Sequence, residues 1–357
     1  MFPNTLHIII QKHCEGPIIQ TRGGLPDSSI QKKWPIEKFN SFLDSIGPCL
    51  RIMTISPSAD AGVVLDCQNV NNNNDDDDDI RCFTCANCVI TTNKLNNDKD
   101  KKVKKSVSWS NNNDDSTASS SSSSSSSFEH IQSLIDRNII VSLGHDKDCN
   151  EDQIFNILNI PLRDQNYNFH STHVFNVQKF HHRNVGLANL AFLKKLPAFI
   201  AEKYNMHTYA KLPTIELIGD MMHLNPLLIQ SVLDTHENGK HGNVCFITDA
   251  IADACPSMEL TYGDVRKAFV DKEGKTVVDE NGILCGSCAT LYTTFLHLLQ
   301  KFKLSIVDAS RLLSGNPAKI TRIYNKTGSI AKGKYGDLIC LDDNFKILRV
   351  FVNGKEY

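Results

Sequence analysis

Apolar and β-branched residues fall in short runs, separated by longer stretches in which apolar positions recur every three or four residues. The strand-like runs are Leu6–Ile10, Arg51–Ile55, Ile139–Leu143, Phe169–Val174, Thr214–Ile218 and Val244–Thr248. Helix-like periodicity occupies Pro35–Ile46, Glu129–Arg137, Asn150–Leu158, Asn225–Asn238, Ala289–Lys301 and Ser305–Leu313. Strand followed by helix, repeated, predicts parallel βα units. After residue 328 the pattern changes: a turn-rich approach, Gly328 to Asp337, leads into two short strands, Leu338–Leu341 and Ile347–Val352, closed by Asn353-Gly354. These predict a small accessory β-segment.

One region breaks the alternation. Asn71 to Asp79 is an unbroken run of asparagine and aspartate, and Lys, Asn and Asp runs from Asn96 lead into the serine tract Ser119–Ser127. Such sequence buries too little apolar surface to offset its chain entropy, so residues 66–127 are expected to be a disordered insert. Within it, Cys82, Cys85 and Cys88 have a C-x2-C-x2-C spacing, but no fourth ligand or structured frame accompanies them, and incidental thiols are the expectation. The chain thus divides into 1–65, the first part of a barrel; 66–127, the insert; 128–327, the second part, with the active site; and 328–357, the accessory segment.

The 357 residues are 41% hydrophobic and 22% charged, with 38 basic against 40 acidic residues. A near-zero net charge gives no reason to expect nucleic acid or an anionic membrane as partner, and a small polar molecule fits better. The twelve cysteines are dispersed, several within apolar runs, which favours reduced thiols and a cytoplasmic protein. No run approaches the length of a membrane span.

Parallel βα units place their chemistry at the carboxyl ends of the strands. There the chain has Glu15, after Lys12-His-Cys; His145, after Gly144; His173; Asp220 and His223; and Asp249. Histidines with carboxylates at one barrel mouth suit a divalent metal, and a further aspartate could take a proton from water. Singly, Glu15 reads as a solvated loop residue, His145 and His173 as hydrogen-bonded structural histidines, and Asp249 as a helix cap. Their order along the chain, each at the end of its own strand, favours a hydrolytic metal site.

The motifs resemble one family. His13-Cys-Glu-Gly-Pro17, Val141-Ser-Leu-Gly-His145, Thr172-His-Val-Phe-Asn176, Phe180-His-His-Arg183, Glu216 to His223, Thr248-Asp249-Ala250, Leu284-Cys-Gly-Ser287 and Asn316-Pro-Ala318 resemble, in order, segments of N-acetylglucosamine-6-phosphate deacetylases of the amidohydrolase superfamily. The resemblance implies a (β/α)8 TIM-type barrel with part of an accessory sandwich, and hydrolysis of N-acetyl-D-glucosamine 6-phosphate to D-glucosamine 6-phosphate and acetate. It implies one divalent metal ion per subunit, zinc first and iron or manganese next, on Glu15, His145 and His173. Asp249 would be general base and acid. Gly24, Asn176, Val177, Arg183, Asp220, His223, Leu284, Cys285 and Gly286 would bind substrate, with Arg183 on the phosphate, His223 near the carbonyl and a Leu284–Gly286 turn over the sugar. A homodimer is implied too.

The sequence also departs from the family. The resemblance implies an upstream first strand, so the barrel is expected to be incomplete at its N-terminal strand. Arg22-Gly-Gly-Leu-Pro26 has Leu25 where the family carries a polar substrate contact, and Val177-Gln178 stands where Ala-Met is usual. Two further readings therefore accompany the deacetylase: a related amidohydrolase with another amide substrate, and an inactive remnant of the family.

Overall fold

A computed structural model describes residues 12–15, 18–20, 34–46, 50–60, 128–250, 259–262, 266–270 and 276–357. The strand expected at Leu6–Ile10, the low-complexity insert with its cysteines, and the segment holding Gly24 and Leu25 lie outside the described residues.

The first half of the described chain is a run of βα units: β1 (Lys12–Glu15), α1 (Ile36–Ile46), β2 (Leu50–Ile55), α2 (Pro57–Asp60), α3 (Glu129–Asp136), β3 (Ile140–Leu143), α4 (Glu151–Leu158), β4 (His170–Ser171), α5 (Ala198–Lys203), β5 (Thr214–Ile218), α6 (Pro226–Thr235) and β6 (Val244–Ile247). The six strands form one parallel sheet in sequence order, each hydrogen-bonded to the next. Helices occupy the crossovers, as in a TIM-type barrel. Buried apolar residues of β2 and β3 pack with α1, α3 and α4 in one core; those of β5 and β6 pack with α6 and the later helices in another. Local signals set the helix starts: Asn150 and Gln153 form a reciprocal capping box on α4, and Asn225 caps α6 with Pro226 in its first turn.

Most predicted elements of this half recur within a residue or two, and Thr214–Ile218 recurs unchanged; the helix expected over Asn225–Asn238 stops at Thr235, and Lys12–Glu15, expected to follow a strand, are themselves β1. Phe169–Val174 departs most, because only His170 and Ser171 pair as strand. Beyond them the backbone turns out of the sheet.

A four-stranded antiparallel sheet follows: β7 (Glu259–Tyr262), β8 (Arg266–Val270), β9 (Thr276–Asp279) and β10 (Leu284–Ser287). The expected Leu284–Gly286 turn is thus part of a strand, its register with β9 broken between Leu284 and Gly286. At its end β10 rejoins the barrel, where Ser287 bridges Ala250 in parallel beyond β6. Helix α7 (Leu291–Gln300) then continues the βα alternation.

The helix expected over Ser305–Leu313 is α8 (Ile306–Ser310), continued by a wider turn, Arg311–Gly315, and by α9 (Asn316–Ile320). Asn316 is buried, and its side-chain amide donates to the carbonyls of Gly239 and Val244, both at 2.8 Å, tying α9 to the start of β6. Strands β11 (Leu338–Leu341), β12 (Ile347–Val352) and β13 (Lys355–Glu356) make a third, antiparallel sheet. Two of the three match the sequence expectation; β13 was not foreseen. Among the described residues no helix is long and apolar enough to cross a membrane.

Candidate active site

The carboxyl ends of β3 and β4 bring two imidazoles together. His145 and His173 are buried, and their Nε2 atoms lie 3.0 Å apart, the rings edge to face. Because β3 and β4 are neighbours, with Ser142 opposite His170, side chains just past the two strand ends can meet. Two ligand nitrogens at about 2.0–2.1 Å on a tetrahedral zinc stand roughly 3.3 Å apart, so this pair fits a divalent ion. Glu15 ends β1, opposite Thr54 of β2, on the same parallel sheet. That places its backbone two strands from His145.

The backbone at these positions is strained. His145 has φ 49°, His173 24°, Val177 52° and Asp249 51°, in the left-handed region that residues other than glycine seldom adopt. For Val177 the branch at Cβ makes the conformation costlier still. Such strain of roughly 1–3 kcal/mol per residue persists only where surrounding contacts fix it, and it clusters at functional sites.

The contacts that fix it are visible around β4. Glu216, midway along fully buried β5, turns its carboxylate towards the end of β4. Its Oε1 accepts from the His173 backbone N–H at 3.0 Å and from the Thr172 hydroxyl at 2.9 Å, while Oε2 lies 3.1 Å from His170 Nε2. Its main-chain carbonyl accepts from Val174 N–H at 2.8 Å. A residue that would have extended β4 therefore bonds to Glu216 instead, which is why the strand is only two residues long. Gln178, where the family usually carries methionine, is also buried. Its amide donates to Thr172 O at 2.8 Å and Ser171 Oγ at 3.3 Å, pinning the returning loop.

His170, Glu216 and Cys245 form a buried cluster with ligand atoms within 4.8 Å of one another. Cys245 is a free thiol opposite Glu216 on β6. Burial, reinforced by the Glu216 charge, pushes this thiol well above its ordinary range.

Beyond β5, Asp220 holds His223. Asp220 Oδ2 lies 2.6 Å from His223 Nδ1, and Oδ1 accepts from the Met222 and His223 backbone N–H groups at 2.9 and 3.0 Å. Burial acts to raise the Asp220 pKa, but the bond to His223, its charge and the two amides together hold it below the ordinary value. Asp249 follows β6, half-buried, its carbonyl accepting from Ser287 N–H at 2.8 Å.

Asn176 and Val177 lie in the loop after His173, the first half-buried and the second buried. Arg183 is exposed on a turn organised by His181, whose Nδ1 accepts from the backbone N–H of Arg183 at 3.2 Å and of Asn184 at 3.0 Å. Of the segment expected over the sugar, Cys285 is buried and Leu284 half-buried, while the Gly286 carbonyl accepts from Thr276 at 2.9 Å. Sequence reasoning assigned nothing to His170, Glu216 or Gln178. The available signal was a carboxylate in the middle of the apolar run Thr214–Ile218.

The sequence model of the amidohydrolase family matches residues 166–357, more than half of the chain, and the protein belongs to that family. The chain is 28% identical over 236 residues to the N-acetylglucosamine-6-phosphate deacetylase of Homo sapiens, covering 64% of this chain and 51% of that protein. It is 25% identical over 229 residues to the enzyme of the same name from Bacillus subtilis strain 168, covering 64% and 50%. The chain thus spans about half the length of the curated relatives it matches. Among solved structures, the N-acetylglucosamine-6-phosphate deacetylase of Pasteurella multocida superposes with a TM-score of 0.63 at 17% identity, covering 100% of this chain and 68% of that one. A mutant of the Mycobacterium smegmatis deacetylase, in complex with N-acetyl-D-glucosamine-6-phosphate, gives 0.64 at 17%, covering 96% and 67%. At these identities the likeness is one of fold.

Proposed function

We propose that the chain carries a metal-dependent deacetylase site that hydrolyses N-acetyl-D-glucosamine 6-phosphate to D-glucosamine 6-phosphate and acetate. The observation that carries this reading is the meeting of the His145 and His173 Nε2 atoms, 3.0 Å apart, at adjacent strand ends. The family and the fold of the solved deacetylases agree with it.

Glu15, His145 and His173 would hold one divalent ion, zinc first and iron or manganese next, which when bound supplies Lewis-acid polarisation of the acyl group. Asp249 takes a proton from the attacking water and returns it to the amine nitrogen as the C–N bond breaks. Without that return, the amine would depart as an anion. Asp220 anchors His223 through Nδ1, which leaves His223 Nε2 to donate to the acyl oxygen. Arg183 pairs with the 6-phosphate through its planar fork, and its exposure is appropriate to a group that meets a diffusing anion. Gly24, Asn176, Val177 and the Leu284–Gly286 segment line the sugar.

The reading is tested by acetate release from N-acetylglucosamine 6-phosphate by the purified chain, stripped of metal and then given zinc, iron or manganese, beside an Asp249→Asn control. Metal-restored turnover that falls by about 10²–10⁴-fold in the control is expected, the usual value of a general acid–base group. A folded chain that binds metal and releases no acetate would refute the proposal.

A further inference from the structure

We propose that Glu216 is a positioning residue for His173, gripping the backbone around it so that its imidazole meets that of His145. The inference rests on the reading of these two histidines as metal ligands.

Four contacts converge on this one residue. The carboxylate takes the N–H of His173 and the hydroxyl of Thr172 on Oε1, and faces His170 Nε2 on Oε2. The main-chain carbonyl takes the N–H of Val174. Residues 172, 173 and 174 thus each bond Glu216 of β5, while the Thr172 N–H still donates to the Leu143 carbonyl of β3 at 3.2 Å. Every participant is buried: Glu216 is 5% exposed and His170, Thr172 and His173 are 1% each. His170 is fixed in turn by Thr214, whose hydroxyl oxygen lies 2.7 Å from Nδ1.

The middle residue of the gripped triplet is the one forced to φ 24°. An unrestrained chain would relax at His173 into the extended conformation, lengthening β4 and moving the imidazole away from His145. The Glu216 carboxylate removes that option by occupying the N–H that a longer strand would use. Partners behind a metal ligand commonly act on its free ring nitrogen; here the grip is on the ligand's peptide group.

Two mild substitutions separate reach from charge. Glu216→Gln preserves the length of the side chain, its carbonyl oxygen accepting from Thr172 and His173 and its amide facing His170 Nε2. Glu216→Asp preserves the charge but withdraws the oxygens by one methylene. Zinc affinity of the full chain is measured by competition with a chromophoric chelator, bound equivalents by elemental analysis, and ligand geometry by the visible absorption of the cobalt-substituted chain. Glu216→Asp is expected to weaken zinc binding about 10–100-fold and to alter the cobalt spectrum, and Glu216→Gln to stay within about threefold of the parent. His173→Ala, measured alongside, tests the ligand reading itself by loss of the bound zinc.

If His173→Ala loses zinc while both Glu216 variants bind it like the parent, the positioning role is overturned and the ligand reading stands. If His173→Ala keeps its zinc, both fall. If Glu216→Gln and Cys245→Ser each lose a second equivalent, His170, Glu216 and Cys245 are themselves metal ligands, and the positioning role is overturned. Hydrogen exchange at the His173 amide of the unmodified chain decides the matter even where Glu216→Asp fails to fold. Strong protection is expected, and exchange at the rate of an exposed amide overturns the inference.

Discussion

Two buried pairs of carboxylate and imidazole differ in how far the fold closes them: one is bonded on every side, and the other, which we propose belongs to the active site, keeps a ring nitrogen uncommitted. At the stem of the low-complexity segment, His130 Nδ1 lies 2.5 Å from Asp60 Oδ1 and His130 Nε2 lies 2.7 Å from the Trp34 carbonyl oxygen. Asp60 Oδ2 also accepts from Ile131 N–H at 3.0 Å, capping α3. Both nitrogens of that ring are engaged within the fold. At the end of β5, Asp220 holds only Nδ1 of His223, and no described residue hydrogen-bonds its Nε2. The count of committed nitrogens, rather than the presence of the pair, distinguishes the two.

This comparison can be broken by experiment. The largest effect is expected from Asp60→Ala, which leaves a buried histidine without its partner and should destabilise the chain by about 3–5 kcal/mol in urea unfolding. Its turnover per folded molecule should not change, and a loss of turnover with stability intact would reverse the assignment. Asp220→Asn should do the opposite, lowering turnover about 10–100-fold, the range for a residue that orients an active group, while the urea midpoint at neutral pH moves less than for Asp60→Ala.

A pH series sharpens the second case. The folded-state pKa of Asp220 lies below the ordinary 3.8, so the unfolded chain binds the proton first as pH falls. The stability it contributes is complete above that value and is lost at lower pH. The stability difference between the parent and Asp220→Asn should therefore shrink as pH falls below about 4.

His236 offers the smallest effect. Its Nε2 lies 2.9 Å from the Ala191 carbonyl oxygen and its Nδ1 2.6 Å from the Asn243 amide nitrogen. Burial, more than the nearby His241 and Lys194 charges, holds its pKa below the ordinary 6.5. The unfolded chain is protonated first below that pH, so stability should decline from pH 6.5 downward and then level off. His236→Gln should flatten that part of the profile, whatever it does to stability at pH 8.

The repeat of strand and helix was legible because β2, β3, β5 and β6 are compact apolar runs flanked by periodic helices, whereas β1 and β4 are short and polar. The antiparallel strands β7 to β10 were not, since they mix polar and apolar residues and no helical period lies between them to set them off from loop. His145, His173 and Asp249 were legible as polar residues at strand ends, which needs only the order of elements. That His145 meets His173 depends on β3 and β4 being neighbours, and the Glu216 contacts depend on β5 lying beside β4 in a given register. Register is a property of pairs of strands, so a reading of one segment at a time passes over it. The same holds for Asn316, legible as a family motif but not as the tie between α9 and β6.

The Asp60–His130 contact has a consequence for how the gene can change. It joins residues 60 and 130, on either side of runs of asparagine, aspartate and serine, so residues added to or lost from those runs fall between two clasped ends. Because the two ends are clasped by side chains of the fold, a repeat can gain or lose copies without altering the distance between α2 and α3. Alleles that differ in those tracts should fold to the same barrel, which makes tract length a trait open to drift.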